Sequence, residues 1–75
     1  MRAALADIDL PGTHGPLVAD FVEHNELVLA FEWTVEVIAN APLKLTKKAR
    51  RHLSGAAAEL GLRANRDWRR LEARG

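Results

Sequence analysis

Apolar residues in this chain recur at intervals of three and four, the spacing of one helix face. The clearest run lies between Glu26 and Asn40. At 100° per residue, Leu27, Ala30, Phe31, Thr34, Val35 and Ile38 fall on one side, and Asn25, Leu29, Glu32, Glu36 and Asn40 fall on the other. Val and Ile are frequent there and favour strands by propensity, but the charged positions return every fourth residue, so the pattern predicts a central helix. Ala41-Pro42 ends it, because the residue before a proline is driven out of the helical region.

Upstream, Gly15-Pro16 reads as a helix start, with Pro16 at the first helical position and Leu17, Val18, Phe21 and Val22 forming an apolar edge that runs to about His24. Asn25 either closes this helix or caps the next. Residues 1–12 read as a short helix or a flexible arm, since Leu5 and Ile8 keep helical spacing among alanines until Leu10-Pro11-Gly12 interrupts them. Downstream, Thr46 caps a helix whose apolar positions are Ala49, Leu53, Ala56, Ala57 and Leu60, and Gly61 stops it in a left-handed cap with Leu62 folded back. Asn65 starts a short last helix docked by Trp68 and Leu71. The prediction is an all-α fold, a small bundle of about four helices, two long and two short, in a single domain over residues 1–75.

Composition narrows what such a bundle does. There is no Cys, so disulfides and thiolate metal sites are absent, and no apolar run approaches the roughly 20 residues of a membrane span. Asp7 and Asp9 break any secretory-signal pattern at the N-terminus, so the expected setting is cytoplasmic and soluble. Catalytic raw material is thin. One Ser, no Tyr, and three His (His14, His24 and His52) without a ligand partner at regular helical spacing predict neither enzyme nor metal centre, and no cofactor or small-molecule substrate.

The net charge of +1 hides a strong polarity. Residues 1–41 carry seven acids against one base, a balance of −6, whereas residues 42–75 carry ten bases against three acids, a balance of +7. Either the halves attract each other across the fold, or one of them meets a charged partner. Two partner classes follow. In the basic half, Ala57, Leu60, Gly61 and Leu62 resemble the first helix and turn of a helix-turn-helix, with Arg66, Arg69 and Arg70 suited to a recognition helix on nucleic acid. That motif needs apolar anchors where this chain has Asp67 and Arg70; Trp68 and Leu71 stand one place later, a rotation of 100°. In the acidic half, Leu29 sits inside the stripe of Glu32 and Glu36 with Trp33 at its border, an apolar spot rimmed by carboxylates that fits a protein-binding surface unless the N-terminal arm covers it.

His24-Asn25-Glu26 followed by Leu29-Ala30-Phe31-Glu32, with a polar-capped helix ending in Leu60-Gly61-Leu62, resembles the small bacterial immunity proteins of contact-dependent growth inhibition and related polymorphic toxin systems, especially those paired with Maf toxins. The likeness spans about Leu17 to Leu62, and the basicity after Lys44 departs from it. The resemblance implies a cytoplasmic protein that binds and blocks one cognate toxin domain, commonly a nuclease. An acidic stripe complements the Lys- and Arg-lined cleft with which a nuclease grips phosphates. The candidate partner-binding residues are therefore Glu23, Glu26, Leu29, Glu32, Trp33 and Glu36, facing a basic toxin domain.

Overall fold

A computed structural model describes residues 8–40 and 45–74. Four helices follow one another among them: α1 (His14–Glu23), α2 (Leu27–Asn40), α3 (Lys47–Leu60) and α4 (Arg66–Ala73). The fold is an all-α bundle with two longer and two shorter helices, and no strand occurs among the described residues.

The hub is α2, which packs against each of the other three helices. Its inner face is the expected stripe, since Ala30, Phe31, Thr34, Val35 and Ile38 are all buried and Leu27 is partly so. Among the described residues Thr34 is the one polar side chain in the core, and its hydroxyl is satisfied by donating to the Ala30 carbonyl at 2.7 Å. Onto this stripe α1 lays Val18 and Val22, α3 lays Leu53, Ala56 and Ala57, and α4 lays Trp68 and Leu71. Phe31 and Trp68 meet edge to face, with ring centroids 6.0 Å apart at 64°.

Helix ends explain the boundaries. Asn25 closes α1 and does not cap α2: it holds the left-handed conformation at φ 58°, its N–H bonds to the Val22 carbonyl at 3.1 Å, and the Glu26 N–H reaches the Phe21 carbonyl at 2.8 Å. The same device closes α3, where Gly61 at φ 70° lets the Leu62 N–H bond to the Ala57 carbonyl at 2.8 Å. Thr46 and Asn65 cap α3 and α4 as expected, their side-chain oxygens accepting from the Ala49 and Trp68 N–H groups at 3.0 Å each.

Three expectations change. Helix α1 begins at His14, because the Pro11–Gly12 turn delivers the chain with Thr13 at the cap position. Pro16 thus stands third in the first turn, where its missing N–H still costs nothing. The central helix begins at Leu27, one residue later than the pattern suggests, since Glu26 belongs to the turn. Of the N-terminal helix or arm over residues 1–12, residues 8–12 are not helical, although Leu10 is buried and Ile8 packs on the core; residues 1–7 lie outside the described residues.

Two arginines of the basic half serve as structural fasteners. Arg74 donates from Nη2 to the Ala39 carbonyl at 2.9 Å and from Nη1 to the Ile38 carbonyl at 3.3 Å, placing a cation on the last turn of α2. Arg50 joins α3 to α4 by donating to the Leu71 carbonyl at 2.8 Å. Replacing Arg74 with Ala is expected to cost about 1 kcal/mol, read as a fall in Tm of about 4–8 °C. An unchanged melt would show that the guanidinium does not hold the end of α2.

Candidate protein-binding face

With its inner stripe buried, α2 turns a second face outward. Three large apolar side chains are exposed on it: Leu29 at 49%, Val28 at 42% and Trp33 at 38% of their surface. Leu29 is therefore open, and Glu32 and Glu36 stand exposed beside it. Neither carboxylate has a cation or a hydrogen-bond donor among the described residues; the two ion pairs there, Asp20 with His24 and Asp67 with Arg70, are each local to one part of the chain. The halves of opposite charge thus do not neutralise each other through ion pairs between described residues.

Of the six candidate residues, four gather on this face: Leu29, Glu32, Trp33 and Glu36. Trp33 is more than an exposed aromatic. Its Nε1–H donates to His14 Nδ1 at 3.0 Å, and its ring leans against Phe21 with centroids 6.2 Å apart, so α1 fixes the indole while part of it stays open. Glu23 and Glu26 form a separate group at the α1–α2 junction, both exposed, one the last residue of α1 and the other just before α2. They flank His24, whose Nδ1–H donates to the Asp20 carbonyl at 2.9 Å with the Asp20 carboxylate 3.4 Å away.

Sequence reasoning missed five participants. Val28 extends the apolar patch. Pro11, His14, Val37 and Asn40 join Trp33 and Glu36 around a cleft of about 510 Å3 between the start of α1 and the later turns of α2. Val28 was visible as the neighbour of Leu29, but nothing local in the sequence pairs His14 with Trp33, 19 residues apart.

The basic half forms its own surface. A second cleft of about 390 Å3 lies between α3 and α4, lined by Lys47, Arg50, Arg51, Ser54, Trp68 and Glu72. Trp68 and Leu71 face inward while Arg66, Arg69 and Arg70 are exposed, the phase that the displaced anchors imply. Helix α4 packs on α2, and its direct tie to α3 is the Arg50 hydrogen bond. Among the described residues, no three of His, Cys, Asp and Glu converge to hold a metal ion, and no helix is long and apolar enough to cross a membrane.

The His24 environment carries a pH consequence. Its pKa is raised, first by the hydrogen bond to the Asp20 carbonyl, then by the Asp20 carboxylate, with Glu26 and Glu23 adding to it. The charged ring is thus favoured in the folded state, and the stability it adds is fully present below the unfolded value of about 6.5 and lost as pH rises through the folded value. An NMR titration of the His24 ring is expected to give a midpoint above about 6.5, lowered by Asp20→Asn. A midpoint at or below that value would contradict the geometry.

Comparison of the chain with protein-family models, with curated proteins and with solved structures finds no match.

Proposed function

We propose that this protein is an immunity-type inhibitor that binds a basic toxin domain, of the nuclease kind, through the outer face of α2 and blocks it without catalysing a reaction. One observation carries this reading: Leu29, Val28 and Trp33 are exposed together on one helix whose neighbouring carboxylates, Glu32 and Glu36, have no partner among the described residues. Exposed aromatic and aliphatic side chains in a cluster are the anchors from which protein interfaces draw most of their affinity. Unpaired carboxylates around them speed encounter with a cationic surface and disfavour an anionic one. The residues that resemble immunity proteins, His24-Asn25-Glu26 and Leu29 to Glu32, lie at the α1–α2 junction and the beginning of this face, which supports the same reading.

A second reading has an observation in its favour. Lys47, Arg51, Arg66 and Arg69 are exposed without a carboxylate partner among the described residues, and the α3–α4 cleft is basic, so the other side of the molecule suits a polyanion such as nucleic acid. With Trp68 and Leu71 as the inward anchors of α4, the surface supports salt-sensitive association in preference to reading of bases.

The inhibitor reading is tested first in the genome and then in growth. A toxin reading frame immediately upstream is expected, whose last domain arrests growth alone and not when co-expressed with this chain. Glu32→Lys with Glu36→Lys is expected to weaken the complex far more than Arg69→Glu with Arg70→Glu, slowing association and steepening its response to salt. Leu29→Asp, which places a charge in an apolar contact, is expected to cost about 2 kcal/mol or more in binding with helicity and Tm unchanged. Full neutralisation by folded acidic-face variants, with failure of the Arg69/Arg70 variant, would move the interface to the basic half.

A further inference from the structure

The cleft beside Trp33 has a chemical character of its own. Its volume of about 510 Å3 is open at the surface, and its lining of Pro11, His14, Trp33, Glu36, Val37 and Asn40 contains no Lys or Arg. Because the only N–H of the Trp33 side chain is held by His14 at 3.0 Å, the part of the indole left to the cleft is carbon and π-surface. The same bond makes His14 Nδ1 an acceptor. Asn40 donates from Nδ2 to the Glu36 carbonyl at 2.8 Å, and its amide oxygen keeps no donor among the described residues. The Glu36 carboxylate is likewise unpartnered among them.

A cleft that presents an aromatic face, a carboxylate and an amide oxygen discriminates among guests by charge. An anion meets Glu36 and is repelled. A neutral apolar group strips water from the carboxylate and returns nothing to it. A cation satisfies both the carboxylate and the indole quadrupole. Between cations, the guanidinium is planar, weakly hydrated and forked, so it lies on an indole while its N–H groups reach two oxygens; an ammonium is a compact, strongly hydrated charge.

We propose that this cleft receives an arginine side chain of the protein that docks on α2. The inference rests on the docking reading above and specifies its anchor: an arginine stacked on Trp33 and bonded by Glu36 and Asn40, beside the Leu29 and Val28 contacts.

The test uses the full chain and a blocked tripeptide, glycyl-arginyl-glycine with both ends capped, followed by NMR at the two indole N–H signals. The Trp33 signal is expected to move saturably while that of Trp68, buried in the core, stays in place. A twin peptide with neutral citrulline is expected to bind about tenfold more weakly or worse, and Glu36→Gln to weaken arginine binding about five- to tenfold, whereas Glu26→Gln at the helix junction changes it less than about twofold. Glu36 is exposed, so its variant keeps the fold. No saturable change at Trp33, equal binding of the citrulline peptide, or an unaltered affinity in Glu36→Gln would overturn the assignment. A lysine peptide that binds as tightly would overturn the choice of guanidinium. If the arginine peptide binds but Leu29→Asp leaves toxin neutralisation intact, the docking reading fails and the cleft assignment stands. If the peptide does not bind while Leu29→Asp abolishes neutralisation, the cleft assignment fails and the docking reading stands.

Discussion

Everything in this bundle depends on one helix serving as the core for three others. A chain of 75 residues without Cys has room for a single apolar interior, and among the described helices α2 alone packs on all the others. The Phe31–Trp68 contact shows how the constraint works. Helix α4 has eight residues, too few to be stable alone, and two inward side chains, Trp68 and Leu71, fasten it to α2. The rest of its attachment is polar: Arg50 holds a carbonyl of α4 from α3, and Arg74 holds the last turn of α2. Buried area sets where the helices sit, and hydrogen bonds at helix ends set where they stop.

The same constraint separates the charges. Since the inner side of α2 is filled by its three partners, its carboxylates stand on the one side that none of them covers. Besides the shared core, the basic half meets the acidic half through the Arg74 guanidinium on backbone carbonyls, and among the described residues no arginine is matched to Glu32 or Glu36. A carbonyl accepts that bond without engaging a carboxylate, so Glu32 and Glu36 stay free of ion pairs among the described residues. For a protein whose partner is a cationic surface, their field is the useful quantity, because it acts before contact and over about a Debye length of 8–10 Å.

Much of this was legible in the sequence. The inward stripe from Ala30 to Ile38 and the outward stripe from Leu29 to Asn40 follow from the 3.6-residue period alone, as do the Thr46, Gly61 and Asn65 caps, whose residue types have a conformational reason to stand where they do. The start of α1 was misplaced because Pro16 is compatible with any position in a first turn, and what decides between them is the geometry of the Pro11–Gly12 turn. The role of Asn25 was open for a related reason: Asn suits both a helix start and a left-handed close, and only the Phe21 and Val22 carbonyls waiting at the end of α1 select the second. The cleft was hidden altogether. It exists because α1 folds back over α2 until His14 meets Trp33, and residue patterns within one helix carry no information about such a pairing.

Stability and the proposed recognition thus fall on one helix in two phases of its period. Phe31, Val35 and Ile38 point to the core, so truncating any of them removes contacts that α1, α3 or α4 need; Leu29, Glu32 and Glu36 contribute to none of those interfaces. Trp33 is the exception, lying between the phases, with one edge held by α1 and another open to the cleft. That double attachment has a thermodynamic use. A tryptophan free to rotate would lose rotamer entropy on binding a partner, whereas an indole already fixed by His14 and Phe21 has lost it on folding, so the affinity it gives is not diminished by ordering. The carboxylates on the same face are exposed, and in the proposed complex their contribution falls on the rate of encounter and its salt dependence more than on its lifetime. The proposed interface, built this way, would associate through Glu32 and Glu36 and be retained through Trp33, Leu29 and Val28.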